Sequence, residues 1–216
     1  MIGHAPIRLI LARHGNTFEA GEVPVQVGAR TDKALTTHGR EQAGRLAEYL
    51  KSTGITPTAI YAGTLKRQIE TAQIVAGKFH AADRLHLNES ALTEIDYGQW
   101  EGLTSEAIST QWPKEYENWT AQAHWPQRIF GKSEKEHIEA IEKWLNALRH
   151  QYASHDTVVG VTSNGIIRYF YALDGKEWER MAHERQMDAL KVKTGNFCEL
   201  FLFKDGLKVN RWNENC

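Results

Sequence analysis

Two patterns of apolar and polar positions alternate along this chain. One is a short, mostly apolar run that halts at polar residues. The other is a stretch in which apolar residues return every three or four positions. Ile7 to Leu11 forms the first run, and it halts at Arg13 and His14 with Gly15 directly after. A run of this length without alternation predicts a strand buried on both faces, and the glycine lets the backbone turn sharply. Residues 59–62 and 157–162 predict strands of the same kind; residues 196–203 predict another, with residues 207–212 beside it. Helical spacing follows in between. Ala43, Leu46, Ala47 and Leu50 make one apolar face, with Thr36 or Thr37 to cap its start and Gly54 to end it. Ile69, Ala72, Val75 and Ala76 make a second face, and Ile138, Ile141, Leu145, Leu148 and Tyr152 a third, opened by a Ser133/Glu136 capping box. Strands alternating with helices predict an α/β fold with three αβα layers around a mostly parallel sheet. The length of 216 residues suits one domain over 1–216.

Two segments break the alternation. Phe18 to Ala34 carries Gly21, Pro24 and Gly28 without a sustained period and reads as a long loop leaving the first strand. From about 103 to 130, Trp112, Trp119 and Trp125 crowd with Tyr116, Pro113 and Pro126, which predicts a helical insertion. Tryptophans in such a segment pack more often than they touch ligand.

Composition narrows the function classes. Apolar residues make up 41% and charged residues 25%, with a net charge of −1, so neither nucleic acid nor an acidic membrane is an expected partner. Any anion site must therefore draw on local cations. Cys198 and Cys216 are the two cysteines, which excludes a disulfide framework and fits a reducing compartment. The opening MIGHAP has no basic lead-in or cleavage site, and no run approaches the roughly 18 apolar residues of a membrane span, so the expected setting is the cytoplasm. Ten histidines are scattered with no i, i+4 pair among them, and neither metal nor cofactor is expected.

Candidate chemistry gathers at the predicted strand ends, where open α/β sheets bind ligands. Arginine presents a fork of donors that fits phosphate, and neutral histidine is a nucleophile toward phosphorus, which singles out Arg13 and His14. Arg67 falls in the first turn of the second helix, where a cation is disfavoured unless an anion sits between it and the helix end. In residues 92–102, LTEIDYGQWEG, carboxylates flank an aromatic-glycine turn, and one beside a cationic phosphate site could protonate a leaving alkoxide. The chain has no G-x-x-x-x-G-K-[ST] loop, no H-E-x-x-H and no G-x-S-x-G.

Taken together, these stretches resemble the histidine phosphatase superfamily, which includes the cofactor-dependent phosphoglycerate mutases. Arg13-His14-Gly15 matches its R-H-G signature. Asp32, Leu35, Thr36, Gly39, Gln42 and Ala43 match D-x-x-L-T-x-x-G-x-x-Q-A. Leu65, Arg67, Thr71 and Ala72 match part of S-x-L-x-R-A-x-x-T-A, and residues 92–102 match L-x-E-x-x-[FY]-G-x-W-E-G. The resemblance covers roughly Arg8 to Arg168 and leans toward the phosphatase branch, given the short insertion and the G-x-W-E-G ending. It implies a phosphoglycerate mutase-like fold and a metal-independent phosphomonoester hydrolase without cofactor. His14 would carry a phosphohistidine and Glu94 would donate the proton. Arg13, Asn16, Arg67, Ser163 and Asn164 would bind a small phosphorylated substrate.

One departure qualifies this. The family's late strand ends in S-H-G-x-x-x-R with a second catalytic histidine, and counting back from Arg168 lands on Ser163, with Asn164 in the glycine place. A shift of one residue puts Asn164 there instead, and neither register restores a histidine. Ala20 also stands where mutases carry an asparagine. A serine in place of that histidine predicts weak turnover, with His183 as a possible substitute. It leaves open a weakly active or inactive phosphate-ester binder acting as sensor or scaffold, or a mutase-type phosphotransferase. Specificity is expected in residues 18–34 and in the Trp-rich insertion.

Overall fold

A computed structural model describes residues 5–175 and 177–216. Residues 1–4, which begin the opening stretch read above as lacking a leader, lie outside the described residues. The chain builds β1 (Ile7–Arg13), α1 (Thr37–Ser52), β2 (Ala59–Ala62), α2 (Lys66–Lys78) and β3 (Leu85–His86). These are followed by α3 (Ser105–Gln111), α4 (Pro113–Gln122), α5 (Glu134–Gln151), β4 (Thr157–Thr162) and α6 (Asn164–Ala172). α7 (Glu177–His183), β5 (Phe197–Leu202) and β6 (Leu207–Glu214) complete it. The six strands form one mixed sheet in the order β3-β2-β4-β1-β5-β6, flanked by the seven helices. β1 runs parallel to β4, as do β2 and β3 with their neighbours, whereas β5 and β6 run antiparallel. The short β3 and α7 carry too few periodic positions to stand out from sequence.

β1 has no solvent face because the sheet is covered on both sides. Leu9 and Leu11 point into one apolar layer, Ile10 and Ala12 into the other. The second layer belongs to α1 and α2, whose Leu46, Ala47, Leu50, Ala72, Val75 and Ala76 meet it. The first belongs to α5 and α6, through Ile141, Trp144, Leu145, Leu148, Ile166 and Phe170. Each fully buried Leu or Ile contributes about 1.5–3 kcal/mol.

The caps form as the sequence predicts: the Thr36 hydroxyl accepts from the Gly39 N–H, and Ser133 and Glu136 make a reciprocal box. The tryptophan-rich stretch folds as α3 and α4, and Ala123 in the left-handed region ends α4. Its rings pack edge to face, with Trp119 and Trp125 at 5.7 Å and Trp119 and Phe130 at 4.9 Å between centroids. Among the described residues, no helix is long and apolar enough to cross a membrane.

Candidate active site

β1 extends two residues beyond its predicted apolar run, so that Arg13 pairs with Thr162 of β4. The two strands therefore end in register, and His14 and Asn164 leave the sheet at the same edge. The turn after His14 is held against the start of α1 by two glycines. A Cβ on Gly15 would lie 2.1 Å from the Gly39 carbonyl oxygen, and one on Gly39 would lie 2.2 Å from that of Asn16. Side chains from both helices then fasten this turn: the Thr71 hydroxyl accepts from the Gly15 N–H (3.2 Å), and the Gln42 amide oxygen accepts from the Asn16 N–H (2.7 Å).

His14 is consequently fixed in position and in tautomer. Its Nδ1 lies 2.7 Å from the Gly15 carbonyl, which can only accept, so Nδ1 carries the proton. Its Nε2 then holds a lone pair and accepts from the Nε–H of Arg67 at 3.1 Å. Burial, reinforced by the charges of Arg67 and Arg13, holds the imidazole well below its ordinary pKa, and so in the neutral, nucleophilic form. The Arg67 fork is positioned by the carbonyls of Thr31 (2.8 Å) and Gly28 (3.2 Å). Arg13 donates through Nη1 to the Val192 carbonyl (2.7 Å), and its buried Nε has no hydrogen-bond partner. Burial lowers the pKa of both arginines against the opposing pull of Glu94.

Glu94 is buried and accepts from the Ile95 and Gly165 N–H groups. Gly165 permits that approach, since a Cβ there would lie 2.4 Å from the Glu94 carboxylate. Burial raises the Glu94 pKa, while its two backbone bonds and the two arginines pull it back.

These groups line one cavity of about 340 Å³, which brings together Arg13, His14, Asn16, Arg67, Glu94 and Asn164. Phe18 and residues 24–27 of the long loop form its wall. Asn16 turns its amide to the Phe18 carbonyl (2.6 Å), and Asn164 accepts from the Val192 N–H (2.8 Å).

Ser163 is not among the lining residues. It is fully enclosed behind the cavity, where its hydroxyl accepts from the Gln68 amide at 2.9 Å. Ser163, expected to hold a substrate oxygen, lies apart from this lining: at the start of α6, Asn164 faces the cavity and Ser163 faces α2. His183 is exposed at the end of α7 and does not line the cavity, and Ala20 is likewise exposed and outside it. Lys191 and Thr194 do line it, without any motif to announce them, because they arrive on the segment that leads into β5. Glu101, matched by motif but given no role, ties down the loop behind Arg67: it accepts from the Thr31 hydroxyl (2.6 Å) and the Arg30 N–H. Among the described residues no group of three His, Cys, Asp or Glu side chains could hold a metal ion.

Comparison with known proteins agrees with this geometry. A family model described as the histidine phosphatase superfamily (branch 1) matches residues 9–215. Phosphoserine phosphatase 1 of Hydrogenobacter thermophilus is 28% identical over 165 residues, covering 76% of this chain and 74% of that one. The chicken (Gallus gallus) 6-phosphofructo-2-kinase/fructose-2,6-bisphosphatase is 27% identical over 167 residues, which span 77% of this chain but 32% of that longer protein. Among solved structures, mycobacterial glucosyl-3-phosphoglycerate phosphatase in complex with VO3 superimposes with a TM-score of 0.77 at 23% identity, covering 97% of this chain and 100% of that one; at that identity the likeness concerns the fold.

Proposed function

The chain belongs to branch 1 of the histidine phosphatase superfamily and is a phosphatase of that family, and we propose that it hydrolyses small phosphomonoesters through a phosphohistidine on His14. The observation that carries this reading is the single neutral tautomer of His14, its Nε2 lone pair turned to Arg67 in a cavity that Glu94 also lines.

In the first step Nε2 of His14 bonds to phosphorus as the bond to the ester oxygen breaks. The Glu94 carboxyl gives its proton to that oxygen, and the alcohol leaves. In the second step water attacks the phosphohistidine with Glu94 as base, phosphate departs and His14 is restored. Arg67, which caps Nε2 in the resting site, turns its Nε–H to a phosphoryl oxygen when substrate enters. Arg13 supplies the free Nε donor, and Asn16 and Asn164 supply neutral amides. Phosphoryl transfer depends chiefly on positioning and charge stabilisation, and here the positive charge comes from arginines, so no metal is assigned a step. The two unpaired cysteines fit a cytoplasmic setting.

Rapid acid or base quench of the enzyme with a ³²P-labelled phosphomonoester tests the reading. The label is expected on His14 in the wild type, stable to base and labile to acid, and absent from His14→Ala. Turnover should fall roughly 10⁴-fold or more in that variant. Undiminished turnover by His14→Ala would sink the mechanism. The enclosure of Ser163 favours one second reading, a phosphate-ester binder with little turnover. That reading predicts vanadate binding to the wild type with no labelled intermediate.

A further inference from the structure

A second cavity, of about 450 Å³, opens between α1 and the segment leading into β5, and the reaction proposed above leaves it unused. Arg13 and Thr194 line it and also line the cavity at His14, so they form a wall common to the two. Arg45 of α1 and Lys193 bring the cations around it to three, and among the described residues no Asp or Glu side chain lines it. Nearby cations of the same two segments are neutralised: Arg40 pairs with Glu70 and Lys191 with Asp188, each at 2.5 Å. Arg45 and Lys193 make no ion pair among the described residues. Arg13 spends Nη1 on the Val192 carbonyl, and its buried Nε has no partner. The Thr194 hydroxyl accepts from the Gln42 amide at 3.2 Å and keeps its own proton to give. A hollow lined by one sign of charge concentrates the opposite one, and an anion there relieves the repulsion among the three cations.

We propose that this cavity binds a small phosphorylated compound as an inhibitor, its phosphoryl group held by Arg45, Lys193 and Arg13. A phosphoryl dianion answers more of the three cations than a single carboxylate does, and its oxygens fit the forks of the two arginines. The volume corresponds to about fifteen waters of the liquid, room for that group on a body of several carbons. The inhibition rests on the hydrolase reading, in which Arg13 serves the transferring phosphoryl group. An anion in the second cavity draws on the charge and donors of Arg13 that the transfer needs. The coupling is reciprocal, so substrate at His14 weakens the inhibitor by the factor by which the inhibitor weakens substrate.

Methylenediphosphonate, whose P–C–P bridge resists hydrolysis, is the probe, and nitrophenyl phosphate the substrate. In the wild type the probe should lower kcat as well as raise KM, because an ester in the His14 cavity leaves the second cavity open. Arg45 and Lys193 are exposed and lie outside the His14 cavity. Arg45→Gln combined with Lys193→Gln should therefore keep kcat and KM without probe within about twofold, remove the kcat effect and raise the inhibition constant about 10-fold or more. Strictly competitive inhibition of the wild type, activation by the probe, or a kcat effect that survives the double variant would overturn the proposal. So would a rise in the ester's KM equal to the rise in the inhibition constant, which reports only a weaker positive field over the whole edge. Malonate, with carboxylates on the same bridge, should bind about tenfold more weakly or worse, and equal affinity would sink the assignment to a phosphoryl ligand. If nitrophenyl phosphate is not hydrolysed, the hydrolase reading fails by itself, and calorimetric titration with methylenediphosphonate still decides the site. One binding event should then weaken about 10-fold or more in the double variant, and identical isotherms would refute the site.

Discussion

The two faces of the sheet are packed in different styles. Where α1 and α2 cover it, the contact residues are mostly alanine, valine and leucine, small enough for the helices to press close to the sheet. Where α5, α6 and the insertion cover it, the layer is dominated by rings: Tyr97, Trp100, Trp119, Trp125, Phe130, Trp144 and Tyr169. The close-packed face supplies the groups that fix His14 and the turn after it, through Thr71, Gln42 and Arg67. The ring-built face surrounds Glu94, Tyr97 and Arg168, on the side that the proposed reaction gives to the leaving group. In close packing a methylene is felt, and side chains hold one position. Large rings leave polar pockets between them that a different set of rings would shape differently. On the proposed reaction, the division is between a half that performs the transfer and a half that selects what is transferred from.

The severest test of that division is Glu94→Gln. If Glu94 belongs to the leaving-group side, hydrolysis of alkyl phosphates should fall about 10²–10⁴-fold, while nitrophenyl phosphate, which needs little protonation, falls far less. Equal losses on both would erase the distinction between the faces at this residue. The pH profile sharpens the same point. On the proposed mechanism His14 reacts in the neutral form; its pKa is lowered, so activity should rise with pH through that value. Glu94 acts protonated in the first step and its pKa is raised, so activity should fall as pH passes through it. Glu94→Gln should remove the descending limb.

A smaller effect is expected where the faces meet. Gln68 on α2 donates both to the Leu92 carbonyl and to Ser163; Gln68 stands where the family's motif has alanine, and Ser163 where it has histidine. A histidine at Ser163 would meet the Gln68 amide, so Ser163→His alone should lose activity. Gln68→Ala combined with Ser163→His should gain it, by up to about 10²-fold in kcat, as a cationic donor joins the transition state. Equal behaviour of the single and double variants would show that Gln68 does not control that space.

The mildest effect concerns stability. His137 packs on the Trp125 ring in the aromatic layer, and burial lowers its pKa to about 4, with Lys132 lowering it further and Glu136 and Asp96 opposing. Its folded pKa lies below the unfolded value, so the unfolded chain binds the proton better. Stability is complete above about pH 6.5 and is lost as pH falls toward 4. Allowing for partial solvent screening, the loss should be about 1–2 kcal/mol, read as a lower urea midpoint at pH 4.5 than at pH 7 and reduced in His137→Gln. An unchanged midpoint would mean that the aromatic layer admits the charge.

Much of this was legible in the order of residues because it is local. The run into Arg13 and His14, the helical spacing of α1 and α2 and the string around Glu94 each carry their own signal within about ten positions. The placement of Ser163 is not local: only the start of α6 decides that Asn164 turns to the cavity and Ser163 to Gln68. Lys191 and Thr194 stood out even less, since nothing near them has periodicity and they reach His14 only when β5 pairs with β1. Arg168 read as the end of a motif; only the fold decides that its guanidinium lies over Trp119, 49 positions earlier.

The place of β1 in the sheet carries a consequence for how the protein comes into being. The strand that delivers His14 is made first, yet both its neighbours, β4 and β5, come from the last third of the chain. As synthesis proceeds, His14 waits at the end of an unpaired strand until about 150 further residues have been added. Nascent chains thus hold His14 outside any pocket, and the cavity around it is assembled in one late step. Such distant pairing makes for slow folding and leaves the strand Ile7–Arg13 unpaired throughout that wait.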